Sequence, residues 1–382
     1  MILEGKRQGA HFFDTEGRRY LDADSSAGIF NLGRRHPELA AALKAAVRET
    51  DQGNFPIISE EKALLAAALA DFVPGPLECS LFGVTRGEAC DAACKVARGL
   101  TKRPGLLALE GGWHGHTGFA MSLSRREDRD LYGPLMPGAG FLPFGDLAAA
   151  ERAVGPDTAA VFLEPVQAEN GCRAVDAAYA KGLAELCRAR GALLVLDETQ
   201  TNFGRTGAPF CFERLGAAPD MLILGEALGG GIFPITVTMM TPRVNQFMND
   251  HPLIHLSTFG GSDVGCRVAL AALELYRRLE PWKNAAVMGA RLRAACDGLA
   301  GQFPSLLQGV DGAGLLLSLK TASPEAARAL CAACLDAGLL AAPGRVAADT
   351  VVLRPSLLLT EAETDELAAA LETALRALAA GA

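Results

Sequence analysis

Asp197 is the first residue of this chain whose type and position could do chemistry. It lies near the end of an apolar run, ALLVLDE (192–198), which is typical of a buried strand. A buried carboxylate requires a cationic partner or several hydrogen bonds. A protonated ring nitrogen could be that partner, and the alternatives are a helix cap or a structural ion pair.

A second segment, LFGVTRGEACDAACKVARGL (81–100), could hold a phosphate. Its turn contains Gly87 and is predicted to open a helix at about Glu88. Free backbone N–H groups at the start of a helix can bind a phosphate group. Most helices start without a ligand, so this segment alone indicates only a possible anion site.

Two glycine-bearing segments carry further candidates. Trp113 lies in GGWHGHTG (111–118) and could stack on a flat ring or belong to the core. Thr258 lies in STFGGSD (257–263), where it could contact a phosphate or belong to an ordinary first turn of a helix.

The elements that must position these residues alternate between strand and helix in the middle of the chain. The predicted strands are LLALE (106–110), AAVFLEPV (159–166), ALLVLDE (192–198) and MLILGEA (221–227). The segment AAYAKGLAELCRARG (177–191) is predicted to be a helix that ends at a glycine. Continuous apolar strands between helices favour a parallel sheet that is covered on both faces. In such sheets ligands bind at the carboxyl ends of the strands, next to the polar residues that follow them.

Three domain segments are expected from the rest of the pattern. Residues 265–280 read as a long helix that leads out of the sheet domain, and amphipathic helices are predicted at 283–303 and 361–378. We therefore divide the chain into segments 1–48, 49–270 and 271–382. The first is an N-terminal arm or part of a small domain, the second a large cofactor-binding domain, and the third a C-terminal small domain.

Composition excludes several classes of protein. Of the 382 residues, 50% are hydrophobic and 21% charged, which provides for a large core, and the formal net charge of −8 gives no basic footprint for nucleic acid. The first residues are too polar for a signal peptide, and no apolar run reaches the roughly 18 residues of a membrane helix. We expect a cytoplasmic protein with no membrane partner.

The 10 cysteines read as small buried hydrophobes, and no metal site is predicted.

Five motifs in sequence order resemble those of the class III aminotransferases, the group that contains acetylornithine, ornithine and 4-aminobutyrate aminotransferases. They are the turn from Gly33 to Pro37, FLEPVQAENG (162–171), LDETQTNFGRTG (196–207), PDMLILGEALGGG (219–231) and STFGG (257–261). The resemblance covers nearly the whole chain. It implies the α/β fold of type I pyridoxal-phosphate (PLP) enzymes, with a large domain built on a mainly parallel seven-stranded sheet and a smaller α+β domain.

The resemblance also implies roles for individual residues. Asp197 would pair with the pyridine nitrogen of the cofactor, Gln200 would approach its phenolic oxygen, and Trp113, next to His114, would stack on the ring. Thr258 would reach the phosphate held by a neighbouring subunit of a homodimer.

The phosphate loop departs from the family pattern. Thr85, Arg86 and Gly87 replace the family's Ser-Gly-Ala. Arg86 could supply a charge to the phosphate, or it could block the pocket.

Substrate recognition is implied by three further positions. Glu169 and Arg354 resemble a pair with which some members gate a substrate carboxylate. His116 stands where the ornithine-type enzymes have an arginine, which weakens an ornithine-type assignment.

Glu226 is the decisive departure, because it stands where the family has the lysine that forms the Schiff base. Glutamate cannot form an imine, so a ping-pong transaminase is not supported. One hypothesis is an enzyme on an amine or keto compound that uses pyridoxamine phosphate (PMP), with Glu226 as the base. The alternative is an inactive homologue that serves as a binding or partner subunit. Glu226→Lys is predicted to give an imine chromophore with PLP.

Overall fold

The computed structural model describes residues 3–54, 56–124 and 127–381 of the chain. Seventeen strands lie within these residues. They are β1 (Glu4–Gln8), β2 (His11–Asp14), β3 (Arg19–Asp22), β4 (Cys79–Gly83), β5 (Gly105–Leu109), β6 (Ala139–Leu142), β7 (Thr158–Leu163), β8 (Val166–Gln167), β9 (Arg173–Ala174), β10 (Leu193–Asp197), β11 (Met221–Leu224), β12 (Thr236–Met240), β13 (Gly309–Ala313), β14 (Leu316–Lys320), β15 (Leu339–Leu340), β16 (Ala342–Pro343) and β17 (Thr350–Leu353).

Twelve α-helices lie within the same described residues. They are α1 (Ser25–Gly28), α2 (Pro37–Glu49), α3 (Glu60–Phe72), α4 (Arg86–Thr101), α5 (Gly118–Leu123), α6 (Leu147–Ala153), α7 (Ala177–Arg190), α8 (Pro242–Asp250), α9 (Asp263–Leu279), α10 (Pro281–Gln302), α11 (Pro324–Asp336) and α12 (Glu361–Gly381). Short 3₁₀ helices occupy Glu127–Tyr132, Cys211–Arg214 and Glu226–Gly229.

The largest sheet has seven strands in the order β4-β12-β11-β10-β7-β5-β6. Strand β12 runs antiparallel to both of its neighbours, and the other neighbouring pairs are parallel. This confirms the predicted fold class. Alternate residues of β10 enter two different cores, with Leu194 and Leu196 on one face and Leu193 and Val195 on the other. Both faces of the sheet are therefore covered, as its continuous apolar strands require.

Most predicted elements of the central region are found within a residue or two. Helix α7 ends at Gly191, whose φ of 68° places it in the left-handed region that glycine adopts without strain. Helix α4 was predicted to open at about Glu88, but it begins at Arg86. The reason is that the Thr85 hydroxyl accepts a hydrogen bond from the Glu88 N–H and so caps the helix two residues earlier.

Two smaller sheets involve the ends of the chain. The first has the order β1-β2-β3-β15, where β15 from the C-terminal region lies parallel to β3. The second is the antiparallel sheet β13-β14-β17-β16. The N-terminal arm thus pairs with C-terminal residues, while the segment boundaries at 48 and 270 stay predictions.

Within the described part of the chain, no helix is both long and apolar enough to cross a bilayer.

Candidate active site

Asp197 ends β10 at the carboxyl edge of the large sheet, where it is 1% exposed. Its Oδ1 accepts hydrogen bonds from the N–H and the hydroxyl of Thr199, at 3.1 and 2.8 Å. Its Oδ2 lies 2.8 Å from Nδ1 of His114 and accepts two hydrogen bonds from Arg86. Both oxygens of this carboxylate are therefore engaged by groups of the protein itself.

Arg86 is the cation that partners Asp197. Its Nε and Nη2 donate to Oδ2 of Asp197 at 3.1 and 2.9 Å, and Nη2 also donates to Oε1 of Glu164 at 2.7 Å. Arg86 begins helix α4, and only 8% of its surface is exposed. The guanidinium of Arg86 therefore contacts two acids of the protein, whereas the sequence alternatives for it were a charge for the phosphate or a block of the pocket.

Charges in this cluster set the pKa of each acid. Burial raises the pKa of Asp197, but the charge of Arg86 and the hydrogen bond from His114 outweigh burial and hold it well below its usual value. Burial also raises the pKa of Glu164, and there the charge of Arg86 does not fully offset it. Burial lowers the pKa of Arg86, but its two carboxylate partners hold it above the ordinary value, so the arginine is charged.

Glu226 follows β11 and opens the 3₁₀ turn Glu226–Gly229. Gly225 lets this turn approach β10, since a Cβ at that position would lie 2.9 Å from Cβ of Thr199. The hydroxyl of Tyr276 on α9 holds the turn by donating to the Ala227 carbonyl at 2.9 Å. Oε1 of Glu226 accepts the backbone N–H of Arg86 at 2.9 Å. The carboxylate therefore caps the start of helix α4.

A cavity of 310 Å³ lies between these groups. Its walls include Thr85, Arg86, Gly87, Trp113, His116, Glu169, Gln200, Glu226 and Arg345. Trp113 is buried, and its ring forms a T-shaped contact with the ring of His116. The guanidinium of Arg345 lies 5.3 Å from the centre of the Trp113 ring. A volume of this size is at the lower end of the range for small-molecule sites.

Arg354 belongs to a second buried cluster that borders the same cavity. Its Nη1 donates to Oε1 of Glu169 at 2.7 Å and to Oε1 of Gln200 at 3.0 Å, and its Nε donates to Oδ1 of Asp24 at 2.9 Å. Gln200 donates in turn to the Ala27 carbonyl at 2.8 Å. The Glu169–Arg354 pair expected from the sequence is present in this geometry, and its role toward a substrate stays a prediction.

Eight of the twelve predicted site residues line the cavity, namely Thr85, Arg86, Gly87, Trp113, His116, Glu169, Gln200 and Glu226. Asp197, His114 and Arg354 do not line it: Asp197 contacts Arg86, His114 contacts Asp197, and Arg354 contacts Glu169. Thr258 is exposed in the loop before α9 and does not line the cavity. Its predicted contact with the phosphate of a neighbouring subunit stays a prediction.

Sequence reasoning missed Glu164 and Arg345. Glu164 directly follows β7, so the rule that polar residues after parallel strands line the site could have found it. It also accepts the Trp113 N–H at 2.8 Å, which fixes the backbone beside the cavity. Arg345 lies in the loop between β16 and β17, where the sequence carries no comparable signal.

The fold and this site define a member of the PLP-dependent transferase architecture, and comparison with known proteins gives the family. The family model for class III aminotransferases matches residues 1–375. An uncharacterized aminotransferase of Archaeoglobus fulgidus is 36% identical over 98% of this chain and 89% of its own length. A putrescine aminotransferase of Pectobacterium atrosepticum is 34% identical over 91% of this chain and 76% of its own length. The chain therefore belongs to the class III aminotransferase family.

Solved structures agree with this assignment. An ornithine aminotransferase of Toxoplasma gondii has a TM-score of 0.94 at 26% identity and covers 100% of this chain and 92% of its own. An amine transaminase from an uncultivated Pseudomonas species, solved in the PLP-bound internal aldimine form, has a TM-score of 0.91 at 26% identity, with coverages of 99% and 95%. Pyridoxal 5′-phosphate is the cofactor of this class, as predicted from the sequence.

The side chains of this chain do not fit that cofactor as they stand. The acid expected to face the ring nitrogen, Asp197, already has Arg86 on Oδ2. The first N–H of helix α4, which could face a phosphate, already donates to Glu226. Among the residues that the structure describes, no lysine lines the cavity. Binding PLP in the expected place would require both Arg86 and Glu226 to move.

Proposed function

We propose that this chain is a class III aminotransferase homologue that has lost transamination and keeps its cleft as a site for a small amine or keto compound. It would act as a binding protein or as a partner subunit of an active homologue. The observation that carries this proposal is the buried ion pair between Arg86 and Asp197. It engages the acid on which the chemistry of the cofactor depends.

The position of Glu226 supports the same conclusion. A Schiff base requires a primary amine, and a carboxylate at this position supplies none. Glu226 borders the cavity and, among the residues that the structure describes, has a backbone N–H but no cation as a partner. An unpaired carboxylate on a cavity wall favours a ligand with an ammonium group.

A lysine-free enzyme is the second candidate. It would bind PMP without a covalent bond and use Glu226 as the base that moves a proton in an amine or keto substrate. The observation in its favour is that Glu226 lies on the wall of the cavity that Trp113 and Gln200 also line. This candidate requires Arg86 to leave Asp197 before PMP binds.

We also propose that the protein is a cytoplasmic homodimer. The loop that carries Thr258 exposes four large apolar side chains, namely Leu253, Ile254, Leu256 and Phe259. A group of exposed apolar residues of this kind is typical of a contact surface. Light scattering on the purified chain would give its mass in solution, and a monomer would contradict the dimer.

Cofactor retention tests the proposed function. The purified chain would be dialysed and then offered PLP or PMP separately, and retention would be followed by absorption, by mass spectrometry and by the fluorescence of its two tryptophans, Trp113 and Trp282. We expect neither compound to be retained. Retention of PMP together with turnover of an amine or keto compound would favour the second candidate and contradict the first.

A further inference from the structure

We propose that Arg86 and Glu226 form a built-in substitute for the cofactor, with the guanidinium in place of the ring's positive nitrogen and the carboxylate in place of the phosphate. This inference rests on the proposed function, since it explains how the fold persists without PLP. It adds that Arg86 and Glu226 exclude the cofactor together. Replacing only one of the two residues by its family counterpart therefore does not restore cofactor binding.

The first half of the substitute is the charge that Arg86 brings to two buried acids. Asp197 and Glu164 are 1% and 2% exposed. Two carboxylates at such depth require a cation, because isolated buried charges are strongly unfavourable. A protonated ring nitrogen on Asp197 is one way to provide it, and Arg86 provides it from within the chain. A glycine at position 86 would leave Asp197 and Glu164 without the arginine that pairs with them.

The second half concerns the start of helix α4, which has 16 residues. The free N–H groups and the dipole of a helix start favour a negative charge there. Glu226 places a carboxylate oxygen 2.9 Å from the Arg86 nitrogen. The position that could attract a phosphate is thus held by an anion that belongs to the protein.

The two halves are coupled because they meet at one residue. Arg86 gives its side chain to Asp197 and its backbone N–H to Glu226. Glu226→Lys alone would put a second cation beside Arg86 and leave the pyridine position filled. Arg86→Gly alone would open that position but leave a carboxylate where the phosphate and the amine are needed. Only the two changes together supply an open acid, a free helix start and an amine.

Three variants test this coupling: Arg86→Gly, Glu226→Lys and the double variant. Each would be prepared in the presence of PLP, checked by circular dichroism and titrated with PLP. In the double variant the new amine would condense with the aldehyde of PLP, forming a C=N bond and releasing water. Borohydride reduction followed by peptide mapping would place the adduct at position 226 and distinguish it from reaction at other lysines.

We expect the Schiff-base absorption band, the mapped adduct and a PLP-dependent rise in Tm in the double variant only. This replaces the expectation from the sequence that Glu226→Lys alone gives an imine chromophore, because the structure places Arg86 on Asp197. Glu226→Lys should bind PLP at least about 100-fold more weakly than the double variant, the factor that corresponds to one badly placed buried charge. The wild-type Tm should not change with PLP.

A full band in Glu226→Lys alone would overturn the inference, because Arg86 would then not close the site. This outcome can be read even when Arg86→Gly or the double variant fails to fold. Absence of the band from a double variant that folds would overturn it as well. Retention of PLP or PMP by the wild-type chain would contradict both the proposed function and this inference. A full band in Glu226→Lys with no retention by the wild-type chain would overturn the inference alone, so the two failures are distinguishable.

Discussion

Two buried arginine clusters border the cleft, and they differ in how far they depart from the family pattern. The Arg86 cluster consists of Arg86, Asp197, Glu164 and His114. Its arginine stands where the resemblance in sequence implies a glycine of the family. The Arg354 cluster consists of Arg354, Glu169, Asp24 and Gln200, and its arginine–glutamate pair resembles the family's gate. Both arginines lie in the interior, at 8% and 2% exposure.

The difference teaches that the two arginines meet different surroundings. Arg86 joins two buried carboxylates, Asp197 and Glu164. Arg354 joins the buried Glu169 and the partly exposed Asp24, and it also donates to Gln200 on the cavity wall. Under the proposed function, the first cluster closes the place of the cofactor and the second borders a site that still binds a small molecule.

Among the variants that test this comparison, we expect the largest loss in the free energy of unfolding for Arg86→Met. It leaves Asp197 and Glu164 buried without their cation, so we expect a loss of about 3–5 kcal/mol in the free energy of unfolding. Urea unfolding followed by circular dichroism would measure it. Arg345→Met is the matched control, since its side chain is 51% exposed and its loss should lie within about 0.5 kcal/mol. Equal effects of the two changes would show that the buried cluster carries no stability.

A smaller effect is expected for Arg354→Met. Glu169 would lose the arginine but keep the backbone N–H of Arg345, and Asp24 is partly exposed. We therefore expect about 3 kcal/mol, the lower end of the range for breaking a buried pair. The same unfolding measurement serves for both arginines. A cost greater than that of Arg86→Met would reverse the proposed ranking of the two clusters.

The smallest effect is a difference in pH dependence between Arg86→Met and the wild type. In the wild type the pKa of Asp197 is held low, so its stabilisation is present above the unfolded pKa of about 3.9 and is lost as pH falls below that value. In the variant, burial is unopposed by Arg86 and raises this pKa, so protonation on acidification relieves the buried charge. The gap in stability should therefore be largest at pH 8 and shrink toward pH 5.

The size of that change follows from the linkage between pKa and stability. The difference in the free energy of unfolding between the wild type and Arg86→Met should shrink between pH 8 and pH 5. It should shrink by about 1.4 kcal/mol for each unit by which the pKa of Asp197 in the folded variant exceeds 5. Thermal unfolding at several pH values would measure it, with Arg354→Met as the comparison. A gap that stays constant from pH 8 to pH 5 would show that Asp197 remains ionised without its arginine.

Much of the fold could be predicted from the sequence because it depends on local patterns. The apolar runs of β7, β10 and β11 and the glycine stop of α7 are read directly from residue order. Strand β12 was not predicted, although its residues Thr236–Met240 include β-branched types that favour strands. The start of α4 was misplaced by two residues because the cap depends on the Thr85 rotamer.

The candidate site was predicted in part for the same reason. Motif order predicted Asp197, Trp113, Gln200 and Glu226 as site residues. The pairing of Glu169 with Arg354 was also expected, and the structure shows their contact across 185 positions. Whether Arg86 would supply a charge to the phosphate or block the pocket was left open, and its contact with two acids was not foreseen. Residue order does not determine where a long side chain points, because that depends on which charges the folded chain brings within reach.

The sequence by itself determined the family and the type of sheet, because both follow from the identity and order of residues. Only the tertiary structure decided which groups Arg86 and Glu226 contact. It brings Arg86 to carboxylates 78 and 111 positions away and Glu226 to a helix start 140 positions away. Such contacts arise because buried charges must be paired once the sheet and helices close around them, and the partner is whichever group the fold places nearest.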